Sequence, residues 1–187
     1  MKNFYRAMTG VNITPLMLAI QRQPELWHAD TYLRDYPQGP FGEIDSIILR
    51  FPEKSVKKTQ AEVENHLLTH DPHESIDYPA YAELPEARPL IMGLMAAIGG
   101  VRLGRCMINR IKPNGRIFPH ADTPIHADYW QRYHIVLHSN AGVFFRCGEE
   151  SVYMAVGEIW WFENAVEHEV INNSADDRIH LIVDIKQ

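Results

Sequence analysis

Three residues near the middle and end of the chain could share one piece of chemistry: His120, Asp122 and His168. His120 and Asp122 close an apolar run (RIFPHAD) and stand two residues apart. On an extended segment, residues i and i+2 point the same way, so the imidazole and the carboxylate can converge. His168 opens another β-like run (EHEV), and Arg178 opens the last one (DRIHLIVDI). Two histidines and one carboxylate make the facial set of non-haem iron oxygenases. Imidazole and carboxylate stabilise divalent iron while three coordination positions stay open, enough for a bidentate oxo-acid and O₂ together. Arg178 suits the far carboxylate of such an acid, because a guanidinium presents a fixed fork of donors and stays charged when desolvated. An HxD pair alone is a common accident. The joint order of all four residues, each at the edge of a strand-like run, is what points to a metal site.

Those residues need a scaffold, and the sequence after Gly100 supplies one. Strands are expected at Arg105–Lys112, Arg116–Pro119, Arg132–His138, Gly142–Arg146, Val152–Ala155, Glu158–Phe162, Glu167–Ile171 and Arg178–Ile185, separated by turns such as Pro113-Asn114-Gly115 and Asn172-Asn173-Ser174. Many short strands with regular turns favour a double-stranded β-helix, that is, a jelly-roll or cupin-like barrel. Residues 1 to about 100 read as mixed and partly helical. Thr14-Pro15 is an N-cap followed by proline, opening a helix to about Gln23. Ser46 to Phe51 is a strand candidate. Pro85 to Ile98 is the strongest helix and stops at Gly99-Gly100. The fold class is therefore mainly β with supporting N-terminal helices. Residues 1–187 are expected to form one domain, with 1–100 as helical and mixed support and 101–187 as the β-helix core.

Composition narrows the functional classes. The chain has 187 residues, 45% of them hydrophobic and 22% charged, which suits one globular domain and excludes a disordered or fibrous chain. A net charge of −6 argues against wrapping nucleic acid, whose backbone calls for a basic surface. The N-terminus lacks the basic-then-apolar layout of a signal peptide. The longest apolar run, Pro89 to Val101, is too short for a bilayer, which needs about 20 residues. Cys106 and Cys147 are too few for a disulfide framework and read as buried thiols. A cytoplasmic setting is expected, with no membrane contact; oligomeric state is left open.

The second half of the chain also resembles a known family, the aspartyl/asparaginyl β-hydroxylases. The resemblance runs from about Leu90 to Ile185 and rests on Asn109-Arg110-Ile111, Pro119-His120-Ala121-Asp122, Arg132-Tyr133-His134, Gly157-Glu158-Ile159-Trp160-Trp161-Phe162, Asn164, His168, Asn172 and Asp177-Arg178, in family order. A weaker match covers Leu26-Trp27 and Asp45 to Arg50. The resemblance implies a double-stranded β-helix that uses Fe(II), 2-oxoglutarate and O₂. It implies His120, Asp122 and His168 as iron ligands, Arg178 as the clamp on the 5-carboxylate of 2-oxoglutarate, and Arg132 and His134 as co-substrate-facing residues. It does not fix the substrate, since branches of the family act on peptidyl residues and others on free amino acids, proline included; a small molecule or a peptide is expected. Two alternatives stand beside it: a cupin-type metalloenzyme that does not use 2-oxoglutarate, and a non-catalytic barrel that binds a small acid.

Further residues carry expectations of their own. Asn164 and Glu167 are candidates to orient the metal ligands. By alternation, Trp160 and Phe162 should share one face of their strand and Trp161 take the other. His126, in the loop after Asp122, could approach the mouth of the site. His66, His70 and His73 with Asp71 look like a second metal cluster but read as a solvated loop or lid.

Overall fold

The computed structural model describes residues 1–36, 39–54 and 71–187. The chain starts with β1 (Phe4–Met8), α1 (Thr14–Arg22), α2 (Leu26–Ala29), α3 (Tyr32–Asp35) and β2 (Ile44–Phe51). It continues through β3 (Ile76–Asp77), α4 (Pro79–Glu83) and α5 (Ala87–Ile98). The second half runs β4 (Arg102–Ile111), β5 (Arg116–His120), α6 (Pro124–Ala127), β6 (Gln131–His138), β7 (Val143–Cys147), β8 (Glu150–Val152), β9 (Ile159–Phe162), β10 (His168–Asn172) and β11 (Arg178–Lys186). Seven of the eight strands expected after Gly100 form at their expected places; the strand expected at Val152–Ala155 instead runs Glu150–Val152, and the chain turns away after it. The loop-or-lid expectation for His66 and His70 lies outside the described residues.

Two antiparallel sheets face each other. The larger has strand order β1-β9-β6-β11-β4-β2-β3 and the smaller β5-β10-β7-β8. This is the expected double-stranded β-helix, with β1 added at one edge of the larger sheet and β2 and β3 at the other. One apolar layer lies between the sheets and includes Ile111, Val136, Phe145, Trp160 and Phe162. A second lies behind the larger sheet, where Leu16 and Ile20 of α1 and Ile91 and Leu94 of α5 pack on Ile108, Ile135 and Leu181. The alternation of the strands divides them between these layers. Trp160 and Phe162 join the inner layer, and Trp161 packs on the helix side.

Two helix ends differ from expectation. Thr14 is already helical; Ile13 holds the cap position, and the Asn12 side chain accepts the Thr14 N–H at 3.2 Å. Asn12 thus does what was assigned to Thr14. The long helix begins at Ala87 rather than Pro85, because Leu84 to Glu86 form a turn first. It ends as expected, at Gly99, whose φ of 70° is a left-handed conformation that glycine adopts without strain.

Register across the larger sheet sets up the site. Arg178, His180, Ile182 and Asp184 of β11 stand on the inner face, opposite Ile111, Asn109 and Met107 of β4 and Val136, His134 and Arg132 of β6. Asn109 and Met107 continue to Ser46 and Ile48 of β2. The inner face is thus a grid whose rungs cross the sheet, and many of its points are polar or charged.

Candidate active site

His120 ends β5 and His168 begins β10, and the two are directly paired across the smaller sheet. Their ring centroids lie 4.3 Å apart. Asp122 follows where the chain leaves β5, and its backbone N–H donates to the Asn164 carbonyl at 3.0 Å. One ligand atom from each of His120, Asp122 and His168 lies within 4.8 Å of the other two, and this is the group of that kind found among the described residues.

The histidines are oriented by main chain. His120 Nδ1 lies 2.8 Å from the Phe118 carbonyl oxygen and His168 Nδ1 2.9 Å from that of Val166. A carbonyl only accepts, so each Nδ1 carries the proton and each Nε2 keeps its lone pair free. Burial lowers the pKa of both rings, that of His168 to about 4, so near neutral pH both are uncharged and ready to bind a cation. Asp122 is oriented through one oxygen. Its Oδ2 accepts from Asn164 Nδ2 at 2.8 Å and is ion-paired with Arg132 Nη1 at 2.7 Å. Burial alone would raise this carboxyl, but the Arg132 charge and the Asn164 amide outweigh it and hold it below the ordinary value. Two neutral imidazoles and one carboxylate, pre-aimed from two strands, suit a divalent ion that prefers N/O ligands and leaves positions open. The donor set therefore fits Fe(II).

Arg132 and His134 share the inner face of β6, as alternation implies, and both line a cleft together with the three candidate ligands. The cleft holds about 580 Å³ including its open mouth. Arg132 is heavily committed. Its Nε and Nη2 donate to both oxygens of Asp184 at 2.7 and 3.0 Å, Nη2 also meets His126 Nε2 at 2.8 Å, and Nη1 takes Asp122. Its Nε and Nη2 hydrogens are thus used, and Nη1, ion-paired with Asp122, keeps donor capacity for a ligand. The Asp184 carboxyl, which burial would raise, is driven far down by Arg132 and His126.

Arg178 is completely buried, at the start of β11. It does not itself line the cleft; it lies behind His134, which does. Its Nη2 donates to His180 Nδ1 at 2.8 Å and lies 3.4 Å from His134 Nδ1. Accepting at Nδ1 leaves the His180 proton on Nε2. Among the described residues, Arg178 Nε, Arg178 Nη1 and His180 Nε2 are all buried without partners. All three are donors on two adjacent side chains of β11, without an acceptor among the described residues. Burial without a counter-ion lowers the Arg178 pKa to about 9. A pocket of orphaned donors around a buried cation is what a carboxylate would satisfy. The Arg178 surroundings therefore fit the distal carboxylate of 2-oxoglutarate.

The remaining expectations separate cleanly. Asn164 holds Asp122 from both main chain and side chain. Glu167 is on the surface, paired with Arg146. His126 is not at the mouth: it is 6% exposed on α6 and bonded into the Asp184–Arg132 network. His73 stacks on Tyr129 at 3.7 Å between ring centroids, and Asp71 pairs with Arg102, so neither is arranged as a ligand. Sequence reasoning missed Asp184 and His180. The signal was present, since polar residues recur on even positions of the otherwise apolar RIHLIVDI.

Comparison with known proteins agrees with this geometry. The model of the family described as aspartyl/asparaginyl beta-hydroxylase matches residues 59–187. The L-proline cis-4-hydroxylase of Rhizobium meliloti (strain 1021) is 30% identical over 79 residues, 42% of this chain and 28% of that protein. The match thus spans little more than a quarter of the relative's length. Among solved structures, a prolyl hydroxylase from Trichoplax adhaerens, in complex with a hypoxia inducible factor oxygen degradation domain peptide fragment, superposes with a TM-score of 0.63. The superposition covers 98% of this chain and 82% of that one at 10% identity, which is a likeness of fold. No helix among the described residues is long and apolar enough to cross a membrane.

Proposed function

The chain belongs to the aspartyl/asparaginyl β-hydroxylase family, and from that premise we propose that it is an Fe(II)- and 2-oxoglutarate-dependent hydroxylase acting on an amino acid, a peptide or another small substrate. The reading takes residues 1–187 as a single oxygenase domain. It is carried by one observation: a pre-oriented His120, Asp122 and His168 set opens on a cleft behind whose wall Arg178 and His180 hold unsatisfied donors. Bound together, iron and 2-oxoglutarate supply O₂ activation and the oxidation of a substrate C–H bond, with release of succinate and CO₂.

The protein's own residues do the positioning. His120, Asp122 and His168 hold the metal on one side only, and the Phe118 and Val166 carbonyls and the Asn164 amide keep them aimed. Arg178, with His180 and His134 beside it, binds the far carboxylate of 2-oxoglutarate, which fixes how the reactive end meets the metal. Arg132 keeps Asp122 ionised and in place and offers its Nη1 to the co-substrate. Phe145, Phe162 and Val170 line the cleft near the metal ligands and keep water away from the reacting centre. The co-substrate subsite favours this reading over a cupin-type enzyme without 2-oxoglutarate, because a buried arginine ringed by orphan donors has no use in that chemistry. Two buried free thiols agree with a reducing, cytoplasmic setting.

Succinate formation from 2-oxoglutarate tests the reading. The wild type with Fe(II) should release succinate, slowly even without substrate. His168→Ala should abolish it by removing iron. Arg178→Ala should keep iron and raise the KM for 2-oxoglutarate. Wild-type turnover in both variants would overturn the assignment.

A further inference from the structure

One charged group in the cleft has no role in the reading above. Arg105 lies on β4 and lines the cleft with His120, Asp122 and Arg132. The other charged lining groups are paired with one another, Arg132 with Asp122 and Asp184. Arg105 has no hydrogen-bond or ion-pair partner among the described residues, although burial works against its charge. Its guanidinium lies over the Phe51 ring, 5.0 Å from the centroid. A shift in register between Ile48 and Arg50 brings Phe51 to the inner face, where it clusters with Ile48, Met107 and Ile182. Stacking on an aromatic face holds the guanidinium plane and leaves its edge of donors open to the cleft. Leu33, Phe51, Met107 and Ile182 complete an apolar wall around it.

Arg105 stands well along the sheet from the position of Arg178, to which the co-substrate carboxylate is assigned. Arg178 pairs with Ile111, six residues from Arg105 on β4, or about 20 Å at ~3.3 Å per residue. The two arginines thus stand toward opposite ends of the inner face, and of the two Arg105 alone lines the cleft. A lone, partly desolvated cation in an apolar wall calls for a second anion.

Resting on the hydroxylase reading, we propose that Arg105 binds a free carboxylate of the substrate, and that the substrate is a small carboxylic acid of the free amino-acid type, its apolar body against Phe51, Leu33 and Met107. A peptide residue within a chain has no free α-carboxylate, and unless its own side chain is acidic it would leave Arg105 unpaired. The L-proline acted on by the Rhizobium relative has this chemistry, a single carboxylate on a compact apolar ring.

The test uses the full chain loaded with Fe(II) and 2-oxoglutarate without oxygen. It is titrated with each free L-amino acid and with the matching carboxamides, L-proline and L-prolinamide first, and followed by thermal shift and visible absorption. At least one free acid should saturate, with its carboxamide at least tenfold weaker. Arg105→Met should weaken that acid at least 30-fold and change the Kd for 2-oxoglutarate less than twofold, which also reports that the variant is folded; Arg105→Lys should recover part of the loss. The proposal is overturned if no acid saturates, if acid and carboxamide bind alike, or if Arg105→Met binds as the wild type does. Failure of the wild type to bind 2-oxoglutarate would instead overturn the hydroxylase reading on which this one rests.

Discussion

Arg178 shows how function is held against stability at a single residue. Its folded pKa is lowered to about 9 by burial, below that of an arginine in the unfolded chain. The unfolded chain therefore binds that proton more strongly, and the charged side chain destabilises the empty protein at neutral pH. Arg178→Met should leave the melting temperature of the metal-free protein unchanged or higher, as measured by thermal unfolding. The same change should cost about 2–4 kcal/mol of 2-oxoglutarate binding, roughly 30- to 1,000-fold in Kd by calorimetry. The buried histidines act in the same sense. His120, His126, His134, His168 and His180 all have lowered pKa values, with burial the leading cause. The unfolded chain takes their protons first, so the metal-free protein should lose stability as the pH falls below about 6.5. Each fully neutral histidine contributes up to about 1.4 kcal/mol per pH unit. Urea midpoints between pH 7.5 and 5 should show this slope, and His180→Gln should make it shallower. A positioning role for Asn164 is separable from these effects. Asn164→Ala should weaken Fe(II) about 10- to 100-fold while leaving urea stability near that of the wild type.

At the scale of elements, the sequence was most readable where one physical pattern dominated. The alternation and turn chemistry after Gly100 located seven of the eight strands and set the eighth late, at Val152–Ala155 rather than Glu150–Val152, while the HxD, the later histidine and the arginine fell at strand ends. What escaped was decided by partners rather than by local pattern. β1 buries only Phe4 completely and exists because Tyr5 and Arg6 pair with Trp161 and Trp160 of β9. β3 is two exposed residues completing the opposite edge. His126 reads as a loop residue until the fold places Asp184 3.0 Å from it. Arg105 looks like an ordinary strand arginine until the register shift in β2 turns Phe51 beneath it. The long helix α5 carries stability and not chemistry, and this too is measurable. Ile91 and Leu94 of α5 are fully buried behind the larger sheet. Ile91→Ala or Leu94→Ala should cost about 2–5 kcal/mol in urea unfolding and leave 2-oxoglutarate affinity as it was.

Across the whole molecule, the two sheets divide the work. The smaller sheet brings His120 and His168 into register, with Asp122 just beyond it. The larger supplies a graded inner face, from Arg178 and His180 at one end to Arg132, Asp184 and Arg105 at the other. On the proposed reading, co-substrate carboxylate, metal and substrate acid are held in that order along this face. The account stands or falls on whether metal and 2-oxoglutarate meet there. The direct measurement is visible absorption of oxygen-free protein titrated with Fe(II) and then with 2-oxoglutarate. The account predicts a weak band that needs both additions, is lost in His168→Ala, and requires far more 2-oxoglutarate in Arg178→Met. Iron binding with no band on adding 2-oxoglutarate, or no iron binding at all, would contradict it.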